Sequence, residues 1–116
     1  MDSLKTQEPE NTVLLSQELP NVPGKQATLI HVYYPPGAAD AAHRHPAFRI
    51  AYVLSGCVVS QVADGPTRIY DTGEFYTETP DQPHKISGNA SDSRPASVLA
   101  LLISDNNAEL VEPLVR

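Results

Sequence analysis

At 116 residues the chain makes one domain, long enough to bury roughly two-thirds of its unfolded surface without disulfide or metal staples. Its single cysteine, Cys57, excludes an internal disulfide and a cysteine-rich zinc site, and reads as a small core residue. A formal net charge of −6 argues against non-specific nucleic-acid binding. No apolar run approaches the roughly 20 residues of a membrane helix, and the polar, acidic start lacks a signal-peptide core. The expectation is a soluble, cytoplasmic protein with no nucleic-acid or membrane partner.

Residues 1–11 are polar and charged, and are expected as an arm-like tail. A barrel is expected over residues 12–105, starting with a short edge strand at Thr12–Ser16. Pro-Asn-Val-Pro-Gly at Pro20–Gly24 is a turn by composition. Ala27–Tyr34 is rich in β-formers, and Pro35-Pro36-Gly37 ends it because proline cannot donate to a central ladder. Arg49–Ser55 and Cys57–Ala63 read as strands joined through Gly56, followed by a turn at Asp64-Gly65-Pro66. Short strands follow at Arg68–Tyr70 and Glu74–Glu78, separated by Asp71-Thr72-Gly73. After the polar loop Gly88–Pro95 comes Ala96–Ser104, the most apolar strand. Residues 106–116 are expected as a C-terminal tail with one marginal helical turn before Pro113. Many short strands with frequent turn signals point to an all-β sandwich or barrel.

The chemistry concentrates in the histidines. His43 and His45 are one residue apart, so on an extended chain both imidazoles point the same way. His84 follows a second glycine-led segment. Three neutral imidazoles suit zinc, iron, nickel or copper, and leave positions open for water or substrate. His31 has no comparable support and reads as structural.

Two spacings carry a family resemblance. Gly37-x5-His43-x-His45-x3-Arg49-x6-Gly56 resembles the first signature motif of the cupin superfamily, with arginine where that motif usually has glutamate. Gly73-x5-Thr79-x-Asp81-x2-His84-x3-Gly88 keeps the spacing of the second motif. It departs at Thr79 for proline, Asp81 for glycine and Gly88 for asparagine. The resemblance implies a single antiparallel β-barrel of jelly-roll type, often paired into homodimers. It also implies a divalent metal (Fe, Zn, Ni, Cu or Mn) on His43, His45 and His84.

Arg49 cannot replace the missing carboxylate as a ligand, because guanidinium offers donors only. A cation there repels a metal by a few kcal/mol at intermediate dielectric. Two groups are candidates to offset it: Glu78, as ligand or general base, and an anionic substrate bound by Arg49. A structural ion pair between Arg49 and Glu78 or Asp81 is the competing reading. Gln61 is a candidate to orient a substrate or a metal-bound water if its strand face is inward. Tyr52, Tyr76 and Phe48 are candidate pocket walls, with ordinary aromatic packing as the alternative.

The functional expectation is a metal-dependent enzyme for a small anionic or carbonyl-containing substrate. It would be either an oxygenase or an isomerase, cyclase or dehydratase. The alternative is a non-catalytic binding or sensing module of the same fold.

Overall fold

Alternation along Ala96–Asp105 sets the frame: Ala96, Val98, Ala100 and Leu102 are buried while Leu99, Leu101 and Ile103 are half-buried on the opposite face. In the computed structural model, which describes residues 8–114, this strand (β9) lies at the centre of a five-stranded sheet. Its companions are β1 (Glu10–Glu18), β2 (Lys25–Tyr34), β4 (Ala47–Ser55) and β7 (Phe75–Glu78), in the order β1-β2-β9-β4-β7. The second sheet contains β3 (His43–Arg44), β5 (Cys57–Val62), β6 (Arg68–Asp71), β8 (Pro83–Asn89) and β10 (Glu112–Pro113). Its order is β10-β3-β8-β5-β6. Every named strand pairing is antiparallel, and the two sheets form an all-β jelly roll.

Gly56 explains the tight link from β4 to β5. Its φ is +70°, and a Cβ there would lie 2.5 Å from the Pro95 carbonyl oxygen. The loop before β9 is tied by Asn89, whose side-chain amide donates to the Tyr34, Pro35 and Arg94 carbonyls while its oxygen accepts from Ser91 N–H.

The interior divides in two. One part is packed by Val32, Val53, Val58 and Val98 with small neighbours. The other is lined by Ala47, Ala100 and Leu102, where small side chains leave space. That space becomes a cavity of about 280 Å3.

The outer face of the first sheet is also apolar. Cross-strand partners Leu15, Leu29, Leu101 and Ile50 form one outward row, and His31, Leu99, Tyr52 and Phe75 form the next. Phe48 (37% exposed) and Tyr52 (43%) belong to this face, because Arg49 and Ala51 take the inward positions between them. They therefore do not wall the cavity, contrary to the sequence expectation.

Three segments differ from expectation. One of them, Pro83–Asn89, is a strand (β8) running into the stretch expected as the polar loop Gly88–Pro95. The edge strand is longer, Glu10–Glu18, reaching into the stretch expected as tail; residues 1–7 of that tail lie outside the described residues. The stretch expected as a C-terminal tail has no helical turn among its described residues, 106–114; Glu112 and Pro113 pair with Arg44 and His43. No helix among the described residues is long and apolar enough to cross a membrane.

Candidate metal centre

Strand geometry delivers His43 and His45 to the interior, as an H-x-H pair requires, and places His84 directly opposite His43 in the β3–β8 ladder. The rings are 7%, 6% and 0% exposed, and one nitrogen from each lies within 4.8 Å of the others. His43 Nδ1–H donates to the Ala41 carbonyl (2.6 Å) and His45 Nδ1–H to the Leu110 carbonyl (2.7 Å). A carbonyl only accepts, so both ring protons are committed there and each neutral ring presents a lone pair at Nε2.

Those two Nε2 atoms are 3.1 Å apart. Facing lone pairs at that distance repel unless a cation lies between them. The separation matches two neighbouring ligands of one ion, about 3.0–3.4 Å for metal–nitrogen bonds near 2.1 Å. His84 adds a third nitrogen pair: Nε2 lies 2.8 Å from Ser60 Oγ, and Nδ1 is buried without a hydrogen-bond partner. The residues fit a divalent metal held by three histidines.

Protonation favours the same state. Burial, then the Arg49 charge, holds His45 down to about 4. Burial, then Arg49 and the two neighbouring histidines, holds His84 down to about 3. Both rings are neutral at neutral pH, the form able to bind a metal.

Arg49 and Glu78 are also brought together. They are cross-strand partners on β4 and β7, both pointing inward, with Arg49 Nη1 donating to Glu78 Oε2 at 2.7 Å. The side chains are 6% and 1% exposed. Burial alone would lower the Arg49 guanidinium, but Tyr76 and then Glu78 hold it above its ordinary value. Glu78 Oε2 is also 3.3 Å from His84 Nδ1, without the alignment of a hydrogen bond, and Glu78 Oε1 is buried with no partner. The carboxylate absent from position 49 is thus supplied across one rung of the ladder. It neutralises the arginine that would otherwise repel a metal.

His43, His45 and Arg49 line the cavity; Glu78 and His84 stand behind that wall. Tyr76 points inward but packs against the valine cluster and is not a cavity wall, contrary to expectation; its hydroxyl is 3.4 Å from Arg49 Nη1 and its ring 5.8 Å from that of His84. Gln61 is elsewhere. Val58 and Ser60 take the inward positions of β5, and Gln61 shares the outward face with its partner Ile86 and donates to the Gly65 carbonyl. Cys57 lies half-buried on that same outward face, not in the core.

Several site residues carry no sequence signal. Ser60, the Ala41 and Leu110 carbonyls, and the wall residues Val111 and Pro113 are set by tertiary contacts, and any residue supplies a carbonyl.

The comparisons agree with the fold. A model of the Cupin domain family matches residues 30–102. The chain belongs to the cupin family. A cupin-like protein from Thermotoga maritima is 24% identical, with a TM-score of 0.73 over 91% of this chain and 75% of its own. The DMSP lyase DddQ from Ruegeria pomeroyi is 25% identical, with a TM-score of 0.64 over 72% of this chain. An oxalate oxidase structure is 18% identical, with a TM-score of 0.67 over 90% of this chain. This chain spans 41% of that lyase and 55% of that oxidase. No curated protein matches the sequence significantly.

Proposed function

We propose that the protein is a metal-dependent enzyme that acts on a small molecule carrying an anionic or carbonyl oxygen, through isomerase- or lyase-type chemistry. The observation that carries this reading is the 3.1 Å approach of two imidazole lone pairs beside a cavity. A divalent ion held by His43, His45 and His84 would supply Lewis acidity toward that oxygen. Arg49, on the same wall, stabilises negative charge developing there. Its hydrogen bonds among the described residues use Nη1, leaving Nη2 and Nε for a ligand. Glu78 positions the guanidinium and keeps the local charge balanced. The cavity of about 280 Å3 is near the lower limit for ligand sites and admits only a small molecule. Two similar structures are named as a lyase and an oxidase, so the fold accommodates both reaction types, with oxygenation the other enzymatic option.

One observation favours a second reading, a binding or sensing role. Glu78, the expected proton carrier, does not reach the cavity wall.

Two measurements separate these readings. Elemental analysis after expression in metal-supplemented medium should find about one equivalent of metal, absent from the His43→Ala, His84→Ala double variant. Metal-free wild-type protein would sink the metal reading. Deuterium exchange at the α-carbon of small keto acids, followed by NMR, should depend on metal and on Arg49. Binding without exchange or product would establish the sensing role.

We infer a cytoplasmic homodimer as well. The doubly apolar first sheet presents an outer face on the order of 500 Å2 in projection, from strands about 4.8 Å apart. A standard interface buries about 800 Å2 of accessible surface per partner. A second copy supplies a face of the same shape and chemistry, as a two-fold contact requires.

A further inference from the structure

Beside the histidines and Arg49, the cavity has an acidic wall residue. Asp40 lines it together with His43, His45 and Arg49. Asp40 Oδ2 accepts the Tyr34 hydroxyl at 2.7 Å and that of Ser87 at 3.3 Å. Tyr34 and Ser87 are each 3% exposed and 3.1 Å apart, so the carboxylate is held by two buried hydroxyls. Burial, with the Asp40 charge adding to it, pushes the Tyr34 hydroxyl far above the usual tyrosine range, so it remains a donor. Both hydrogen bonds found to the carboxylate use Oδ2; no cationic side chain pairs with Asp40 among the described residues.

The Asp40 carboxylate is half-buried and is hydrogen-bonded among the described residues at Oδ2 alone, so Oδ1 is available to a cationic group. Ser87 and Asp40 are also joined by Asp40 N–H to the Ser87 carbonyl (2.8 Å), which braces the loop without needing a charged side chain. The negative charge on the cavity wall is therefore left unexplained by bracing. Much of the remaining wall is apolar, with Ile30, Val32, Ala100 and Leu102.

We infer that Asp40 determines specificity by binding a cationic group of the ligand, so that the cavity takes a short amino-acid-like zwitterion. Its ammonium sits on Asp40 and its carboxylate at the histidines and Arg49. Asp40 precedes His43 by three residues, a span of at most ~10 Å, so few bonds separate the two charges. The carboxylate half of this assignment rests on the functional reading above; the ammonium half does not.

The test is calorimetric titration of zinc-loaded and metal-free protein with three matched pairs: glycine and acetate, β-alanine and propionate, 4-aminobutyrate and butyrate. In at least one pair the amine should bind about tenfold or more tightly than its partner, the scale of a hydrogen bond between charged groups. Asp40→Asn should remove that preference while leaving zinc content unchanged. Tyr34→Phe, which keeps the carboxylate, should retain it. If Asp40→Asn fails to fold, Asp40→Glu decides: the preference should move to an amine one methylene shorter. No binding by any amine, equal binding within every pair, or a preference that survives Asp40→Asn or does not move in Asp40→Glu would overturn the inference. Failure of wild-type protein to retain zinc would defeat the enzyme reading alone, because the metal-free titrations still decide Asp40.

Discussion

Arg49 and Glu78 face each other across one rung between β4 and β7, 2.7 Å apart and almost wholly out of water. Desolvation of each charge costs several kcal/mol, and their attraction with the Tyr76 contact offsets it. Removing one partner leaves the other buried and bare. Arg49→Leu and Glu78→Leu should each lower unfolding free energy by about 3–5 kcal/mol. The double Leu variant should lose less than either single one, read by urea denaturation as a double-mutant cycle. Additive losses would show that the two charges act independently.

Restoring a glutamate at position 49 tests the charge balance of the site. Arg49→Glu sets two carboxylates opposite each other and should melt below wild type without metal. Added zinc should raise its melting temperature more than it raises that of wild type, since a cation relieves like-charge repulsion. An equal rise in both would place Arg49 outside the field of the bound ion.

Acid should unfold the metal-free protein through its histidines. His45 and His84 are held down to about 4 and about 3, against about 6.5 in an unfolded chain. Below about 6.5 the unfolded state takes up protons that the folded state refuses. Stability is therefore full above that pH and falls as the pH drops toward 4 and 3, by a few kcal/mol in all. Denaturation in chelator between pH 7.5 and pH 4 should show this slope, and the His45→Gln, His84→Gln variant should flatten it.

The outer apolar face should govern assembly. Leu101→Lys places a charge at the centre of β9 and should convert a dimer to a monomer by light scattering, with metal content unchanged. A wild-type monomer at micromolar concentration would show that the face is left uncovered.

Gly56 tests the local rule behind the hairpin. Gly56→Ala meets both a φ of +70° and the Pro95 oxygen at 2.5 Å, and should cost about 2 kcal/mol or more. Gly24→Ala (φ +86°, open surroundings) should cost less, measured by the same denaturation.

Much of the fold was legible because glycine, proline and period-two patterns are local signals. Most strands from Ala27 to Ser104 and the three-histidine grouping were expected from such spacing. The strand that carries His84, β8 (Pro83–Asn89), was not, because Pro83 and Gly88 read as bend and loop signals. What local pattern lacks is the choice of face and the identity of distant partners. Phe48, Tyr52 and Gln61 fell on the outward side because their neighbours Arg49, Ala51 and Ser60 took the inward one. Period two says only that neighbours differ, not which is inside. Arg49 and Glu78 are 29 positions apart, so their register emerges only from the assembled sheet. Asp40 belongs to no motif, and only the folded chain brings the Tyr34 and Ser87 hydroxyls to it.

The Leu110 carbonyl that fixes the His45 ring lies 65 positions downstream of it. During synthesis the His43-His45 pair therefore emerges long before the group that orients its second ring. The Ala41 carbonyl can set the His43 ring locally, whereas the His45 ring gains its fixed tautomer, and with it a lone pair aimed at His43, only when the C-terminal segment docks.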